Sequence, residues 1–121
     1  KMELYICETC GSMLWRVKNG AHPVCCGNPM KVVKANSVEA SQEKHIPVVK
    51  KEDGKFVIEV GSVEHPMVAE HYIEWIAAIG DNIVLKKEFK PGEKPTLTVC
   101  DRGFNEFYAY CNIHGLWKGE A

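Results

Sequence analysis

Four cysteines, Cys7, Cys10, Cys25 and Cys26, fall within the first 26 residues, and the first two are separated by two residues. A Cys-x-x-Cys gap lets both thiolates of one turn face a single cation while backbone amides point at the sulfurs, and a second pair closes a tetrahedral four-sulfur site. The vicinal Cys25-Cys26 pair departs from the second Cys-x-x-Cys of zinc ribbons and is expected to distort the tetrahedron. Zinc and iron both accept four thiolates, so the spacing leaves open which metal is held and whether it only staples the fold.

A second donor set is spread over the rest of the chain: His45, His65, His71, Cys111 and His114. Each lies in a segment with turn-forming neighbours, as in Lys44-His45-Ile46-Pro47, Glu64-His65-Pro66 and Cys111-Asn112-Ile113-His114-Gly115. Singly, such a histidine is more often a surface or core residue than a ligand. Together they offer four imidazoles and one thiolate, a donor set for a borderline transition metal. Five donors leave an octahedral ion one open position, which makes the site reactive and not a structural plug. His114 follows Cys111 by only three residues, so a tight turn must bring both to one ion, and the nearer ring nitrogen of His114 is expected to bind where the other three histidines use the other nitrogen.

The elements that position these donors read as strands. Residues 1–36 contain a strand-like run from Met13 to Val17, an Asn19-Gly20 turn and the segment Cys25-Cys26-Gly27-Asn28-Pro29, which together predict two small hairpins whose turns present sulfur. So short a stretch cannot bury a self-sufficient core, and a metal is its natural staple. From Asn36 the pattern changes to short β-branched and aromatic runs: Val48-Val49, Lys55 to Val60, His71 to Ile79, Asn82 to Phe89, Thr96 to Cys100 and Glu106 to Tyr110. Turn signals separate them, and six or seven such strands predict an antiparallel immunoglobulin-like β-sandwich over residues 37–121. Val68 to Ile79 also fits helical spacing, but the neighbouring runs favour a short turn or helix at Pro66 to Glu70 leading into a strand. Cys100 alternates like a strand residue and is expected in the core, His22 on the surface, and Trp15, Trp75 and Trp117 in packing, the last two near the second donor set.

A formal charge of −1 lacks the basic excess that phosphate-backbone binding needs, which argues against nucleic acid and against a zinc-ribbon nucleic-acid module. A Cys111–His114 hydrolytic dyad has no third group to orient it. No window reaches the ~18 apolar residues of a membrane span, so a cytoplasmic protein is expected. In that compartment clustered cysteines are more often metal ligands than disulfides.

Cys7-x-x-Cys10 with Cys25-Cys26, then Glu43-Lys44-His45-Ile46-Pro47, His65-Pro66-Met67 with His71-Tyr72-Ile73, and Cys111-Asn112-Ile113-His114-Gly115 closely resemble the desulfoferrodoxin family of two-iron superoxide reductases. The resemblance covers nearly the whole chain and departs at no ligand position. It implies a desulforedoxin-like domain over residues 1–36 with a rubredoxin-type iron on Cys7, Cys10, Cys25 and Cys26, and a reductase domain over 37–121. There His45, His65, His71 and His114 are implied as equatorial ligands of the catalytic iron and Cys111 as the axial one. The implied activity is one-electron reduction of superoxide to hydrogen peroxide without oxygen evolution, a detoxification of oxidative stress. By themselves Glu43 and Lys44 read as a solvated pair of charges. The resemblance implies that Lys44 attracts superoxide and that Glu43 closes on the oxidised iron. It further implies rubredoxin as electron donor and a homodimer. The rival reading is an electron-transfer or structural metalloprotein with both sites closed.

Overall fold

The computed structural model describes residues 3–121, and the chain parts into two compact units, one ending at Lys34 and one beginning at Ala35. In the first, β1 (Glu3–Ile6) pairs with β2 (Met13–Arg16) and with β5 (Lys31–Val32), while β3 (Val24–Cys25) and β4 (Asn28–Pro29) form a separate hairpin. Among its described residues Leu4, Tyr5, Cys7 and Met30 are buried, with Cys25 packed against the last three. That is far too little apolar area to offset the chain entropy of some thirty residues, so the cysteines must contribute through a bound ion.

The second unit opens with α1 (Gln42–His45), which leads into β6 (Pro47–Glu52). β7 (Lys55–Val60), β8 (Ile73–Gly80), β9 (Val84–Glu88), β10 (Thr96–Cys100), β11 (Phe104–Cys111) and β12 (Gly115–Gly119) follow. They make two antiparallel sheets, ordered β10-β7-β6 and β12-β11-β8-β9. Strand periodicity explains which residues go inside: Phe56, Ile58 and Val60 of β7, Leu97 and Val99 of β10, and Phe107, Ala109 and Cys111 of β11 all fall two apart and all join one core. The sandwich is thus the mainly β fold that the sequence predicts. A bulge gives it a local twist: Tyr110 pairs with Trp75 but Cys111 with Ile73, which leaves Glu74 without a counterpart on β11 and keeps Ile73 in the core beside Cys111.

Several local expectations are corrected. The Asn19-Gly20 pair lies in the connection from β2 to β3, and the turns that carry sulfur are the Cys7–Ser12 loop and a Cys26-Gly27 turn with both residues at positive φ. Asn28 and Pro29 form β4 and do not turn the chain. Of the two forms expected at Pro66 to Glu70, a turn is found, closed by a bridge between Val68 and His71. The one helix among the described residues is instead α1. Cys100 is exposed, because on β10 Leu97 and Val99 take the inward positions and Cys100 has the opposite parity. β12 was not expected, since Gly115 and Gly119 weaken its strand signal. Gly119 is needed there, as a Cβ would overlap the Pro47 carbonyl oxygen of β6.

Phe107 is 1% exposed and its ring centre lies 5.0 Å from that of Phe56. Phe107→Ala is expected to cost about 3–5 kcal/mol of the sandwich's stability. Urea unfolding followed by tryptophan fluorescence checks this, and a loss below about 1 kcal/mol would show that the core is not centred there.

Candidate metal centres

The first centre grows from a tight loop. Cys7 N–H donates to Ser12 O at 2.8 Å and Gly11 N–H to Cys7 O at 2.8 Å, which turns the Cys10 amide onto the Cys7 sulfur at 3.5 Å. The Cys26-Gly27 turn brings the other two sulfurs to the same point. Cys10 and Cys25 sulfurs lie 3.6 Å apart, Cys25 and Cys26 sulfurs 4.0 Å, and all four donor atoms fall within 4.8 Å of one another. A tetrahedron with metal–sulfur bonds of about 2.3 Å has edges of about 3.8 Å, so the sulfurs already have the spacing of a four-thiolate ion. Backbone amides of Cys10 and Thr9 help pull the Cys7 thiol down to about 6. Crowding by Cys10, Cys7 and Cys26 pushes Cys25 up to about 12. Four thiolates at this spacing need a cation between them.

The second centre is assembled at one end of the sandwich. His45 is the last residue of α1, His65 and His71 lie in the connection from β7 to β8, Cys111 ends β11, and His114 lies in the turn before β12. His45 Nδ1 stands 2.7 Å from Ser41 O and His65 Nδ1 2.7 Å from Pro66 O. A carbonyl only accepts, so both Nδ1 atoms carry the proton and both Nε2 atoms are bare. Yet His45 Nε2 lies 3.1 Å from His65 Nε2 and 3.0 Å from His114 Nδ1. The first of these cannot be a hydrogen bond between neutral rings, because neither nitrogen has a proton to give. His71 Nε2 is buried and has no hydrogen-bond partner among the described residues. Donor edges of 3.0–3.1 Å match the cis edges, about 3.0 Å, of a square or octahedral ion with metal–nitrogen bonds near 2.1 Å; a tetrahedron of such bonds would give about 3.4 Å.

Cys111 completes the set. Its sulfur receives the His114 amide at 3.5 Å and lies 4.0 Å from His114 Nδ1. The donors of His45, His71, Cys111 and His114 lie within 4.8 Å of one another, and His65 joins them through its contact with His45. His114 thus turns its nearer nitrogen, Nδ1, inward, whereas His45 and His65 turn Nε2 inward. The chemistry of both donor sets fits iron.

Packing around the rings fixes them. Trp117, fully buried, stacks on His45 at 5.0 Å between centres and donates from Nε1 to His114 O at 3.1 Å. Trp75 stacks instead on Tyr110. Asn112 went unnoticed in the sequence: its Oδ1 accepts Tyr72 N–H at 3.0 Å and its Nδ2 donates to Glu70 O at 3.0 Å, tying the segment around His71 to the Cys111–His114 turn. Its place between two donors was the available signal. Glu43 and Lys44 sit on α1 beside His45, both exposed. Burial and then the His114 charge lower His71, with Lys44 a further cause, so the lysine's charge reaches the ring. His22 is exposed, bonds Met30 O at 2.7 Å and meets the Tyr5 ring edge-on, away from any donor set.

A β-sandwich that gathers four imidazoles and a thiolate at one end, preceded in the chain by a four-sulfur site, defines a two-centre iron protein. Comparison with known proteins makes this specific. The Desulfoferrodoxin family profile matches residues 37–120. A desulfoferrodoxin homolog of Archaeoglobus fulgidus is 44% identical over 97% of this chain and 95% of its own length. The desulfoferrodoxin of Nitratidesulfovibrio vulgaris is 40% identical over 98% and 96%. Among solved structures, the superoxide reductase from Treponema pallidum superposes with a TM-score of 0.77 at 27% identity, covering 99% of this chain and 98% of that one. The chain belongs to the desulfoferrodoxin family.

Two outcomes follow from the donor sets. Cys10→Ser is expected to remove the first metal and loosen the first unit, while pre-reduced protein still reacts with superoxide, because every donor of the second set lies beyond Lys44. Metal analysis with rapid-mixing kinetics decides it, and loss of that reaction with the second metal retained would refute the division. The second concerns pH. Burial lowers His65 to about 4 from the usual 6.5, and lowers His45 and His71 in the same direction. The unfolded chain therefore binds more protons between about 6.5 and 4, so the metal-free sandwich loses stability as pH falls through that window, on the order of 3 kcal/mol from His65 alone. Urea midpoints of chelator-treated protein at pH 7 and pH 5 are expected to fall accordingly; equal midpoints would contradict the lowered values.

Proposed function

We propose that this chain is a superoxide reductase, which reduces superoxide by one electron to hydrogen peroxide without evolving oxygen. The observation that carries the reading is the convergence of His45, His65, His71, Cys111 and His114 donors, with two bare imidazole nitrogens facing each other at 3.1 Å. Five protein donors on an octahedral ion leave one position for a small reactant, whereas a structural site is closed. Relatives that bear the name superoxide reductase support it.

A ferrous ion held by these donors would supply the one electron, and with two protons the superoxide leaves as hydrogen peroxide. The remaining roles belong to the chain. Cys111 would hold the ion through its sulfur, which as thiolate would donate electron density to it, as cysteine does in haem proteins. His45 and His65 hold their orientation through the Ser41 and Pro66 carbonyls. Lys44, exposed beside His45, presents the cation that draws the anionic reactant in; its charge is what matters locally, although the whole chain is at −1. Glu43 is held ionised by its own amide and the Ser41 hydroxyl, and we assign it to the oxidised resting state, where it closes on the site.

In this reading residues 1–36 form the tetracysteine iron domain and 37–121 the catalytic domain. A rubredoxin or similar small carrier returns the electron. The small interior of the first unit, together with exposed Val17 and Val24, supports a homodimer formed through that unit. The clustered free cysteines support a reducing, cytoplasmic setting, and no helix among the described residues is long and apolar enough to cross a membrane.

Pulse radiolysis of the pre-reduced protein tests the reading. One peroxide is expected per superoxide consumed, with no oxygen; half that yield with oxygen evolution would make the protein a dismutase. Lys44→Ala is expected to slow the second-order rate and flatten its salt dependence, because a cation at the mouth acts over about one Debye length, ~10 Å at 0.1 M salt. Glu43→Ala should leave the encounter rate nearly unchanged and shift the visible band of the oxidised protein.

A further inference from the structure

The turn that carries Glu43, Lys44 and His45 is four residues long, too short to hold itself by its own hydrogen bonds. Its hold comes from the chain just after β7. Val63 N–H donates to Glu43 O at 2.9 Å, and the Ser62 hydroxyl donates to the same oxygen at 3.3 Å. This grip needs the two backbones to touch at Gly61. A Cβ there would stand 2.5 Å from Glu43 O and 2.8 Å from the Lys44 carbonyl carbon, where real contacts essentially never fall below 3.0 Å. Both obstacles are backbone atoms, which no side-chain rotation can clear.

The two sides of this contact are not equally free to move. Val60, just before Gly61, is buried in the core, pairs with Pro47 and donates its amide to Pro95 O at 3.2 Å. The opposite partner is an exposed turn. An added methyl group would therefore displace the carbonyls of Glu43 and Lys44 and not the β7 end; the Glu43 oxygen must retreat by at least 0.5 Å to pass from 2.5 to 3.0 Å. The His45 ring keeps its separate tether to Ser41 O.

We infer that Gly61 is a positioning residue for the reaction: by having no side chain it lets Ser62 and Val63 clasp the Glu43 carbonyl, and so sets where Lys44 stands at the mouth of the site. The inference rests on the role proposed above for Lys44. It adds a residue with no side chain of its own, which acts through the backbone carbonyls of Glu43 and Lys44.

A double-mutant cycle on the iron-loaded full chain tests it, with Gly61→Ala, Lys44→Ala and the pair. Gly61→Ala is expected to keep its metal content, to exchange the Val63 amide about tenfold faster as the clasp opens, and to react with superoxide about threefold more slowly with a flatter salt dependence. Added to Lys44→Ala, it should cause no further slowing, because both act through one charge. Multiplying losses, or wild-type Val63 exchange and rate in folded Gly61→Ala, would overturn the inference. Should that variant not fold, Ser62→Ala removes one donor without adding an atom and is expected to move rate and salt slope in the same direction; no change there overturns the inference equally. The two readings fail separately. If Lys44→Ala alone matches wild type at every ionic strength, the steering role falls and takes Gly61 with it, whereas a slow Lys44→Ala beside a normal Gly61→Ala removes Gly61 only.

Discussion

Two unprotonated imidazole nitrogens facing each other at 3.1 Å, on two buried rings, are the constraint that the second unit is built around. The Ser41 and Pro66 carbonyls take the Nδ1 protons, so the His45 and His65 lone pairs meet with no proton between them. A protonated ring would resolve the clash, but burial holds His65 near 4, which leaves it neutral at ordinary pH. Unpaired buried polar groups cost on the order of 1–3 kcal/mol each, so the arrangement is a debt until a cation enters. Ile58, Ile73, Ile76 and Phe107 form part of the core that holds the strands in register.

The fold delivers the donors economically because antiparallel pairing brings the right strand ends together. Pro47 pairs with Val60, Ile73 with Cys111, and Cys111 with Gly115, so the start of β6, the end of β7, the start of β8 and the β11–β12 turn all lie at one end of the sandwich. Donors far apart in sequence then need only short excursions to meet. Connections are stitched where they cross: Asn112 binds the Glu70–Tyr72 backbone, and Asn36 binds Lys118 through its side chain and Leu116 through its amide. Each stitch reduces the freedom of a loop that must present a ring within a few tenths of an ångström.

Donor identity was legible in the sequence because cysteine and histidine carry their chemistry in their types, and the strands because β7 and β10 alternate strictly and β11 does so from Phe107 onward. The turns were less legible. Cys26 takes the left-handed position that Asn or Asp usually announces, which hid the hairpin turn inside a metal motif. Cys100 has the composition of a core residue but the wrong parity relative to Leu97 and Val99. Gly61 and Gly119 could not be read at all, since their meaning lies in a backbone that approaches from a distant segment. Periodicity records which face a residue takes, and spacing records which donors share a turn; neither records contacts between segments.

One local device serves both centres with opposite electrostatic results. In Cys7-x-x-Cys10 and in Cys111-x-x-His114 the amide three residues on points at the first sulfur at 3.5 Å. At Cys7 these amides prevail, and the thiol falls to about 6. At Cys111 burial outweighs the same amides and the thiol rises. The first site therefore has a thiolate ready near neutral pH to begin capturing an ion. The second has a thiol that gives up its proton only as a cation arrives, so ion entry, thiolate formation and relief of the His45–His65 repulsion are coupled and release a proton together. The same burial that makes Cys111 slow to ionise strengthens its charge once formed, because the low surrounding dielectric screens it little. A buried sulfur at Cys111 and an exposed lysine beside His45 are thus two consequences of one placement, the end of a sandwich where core gives way to surface.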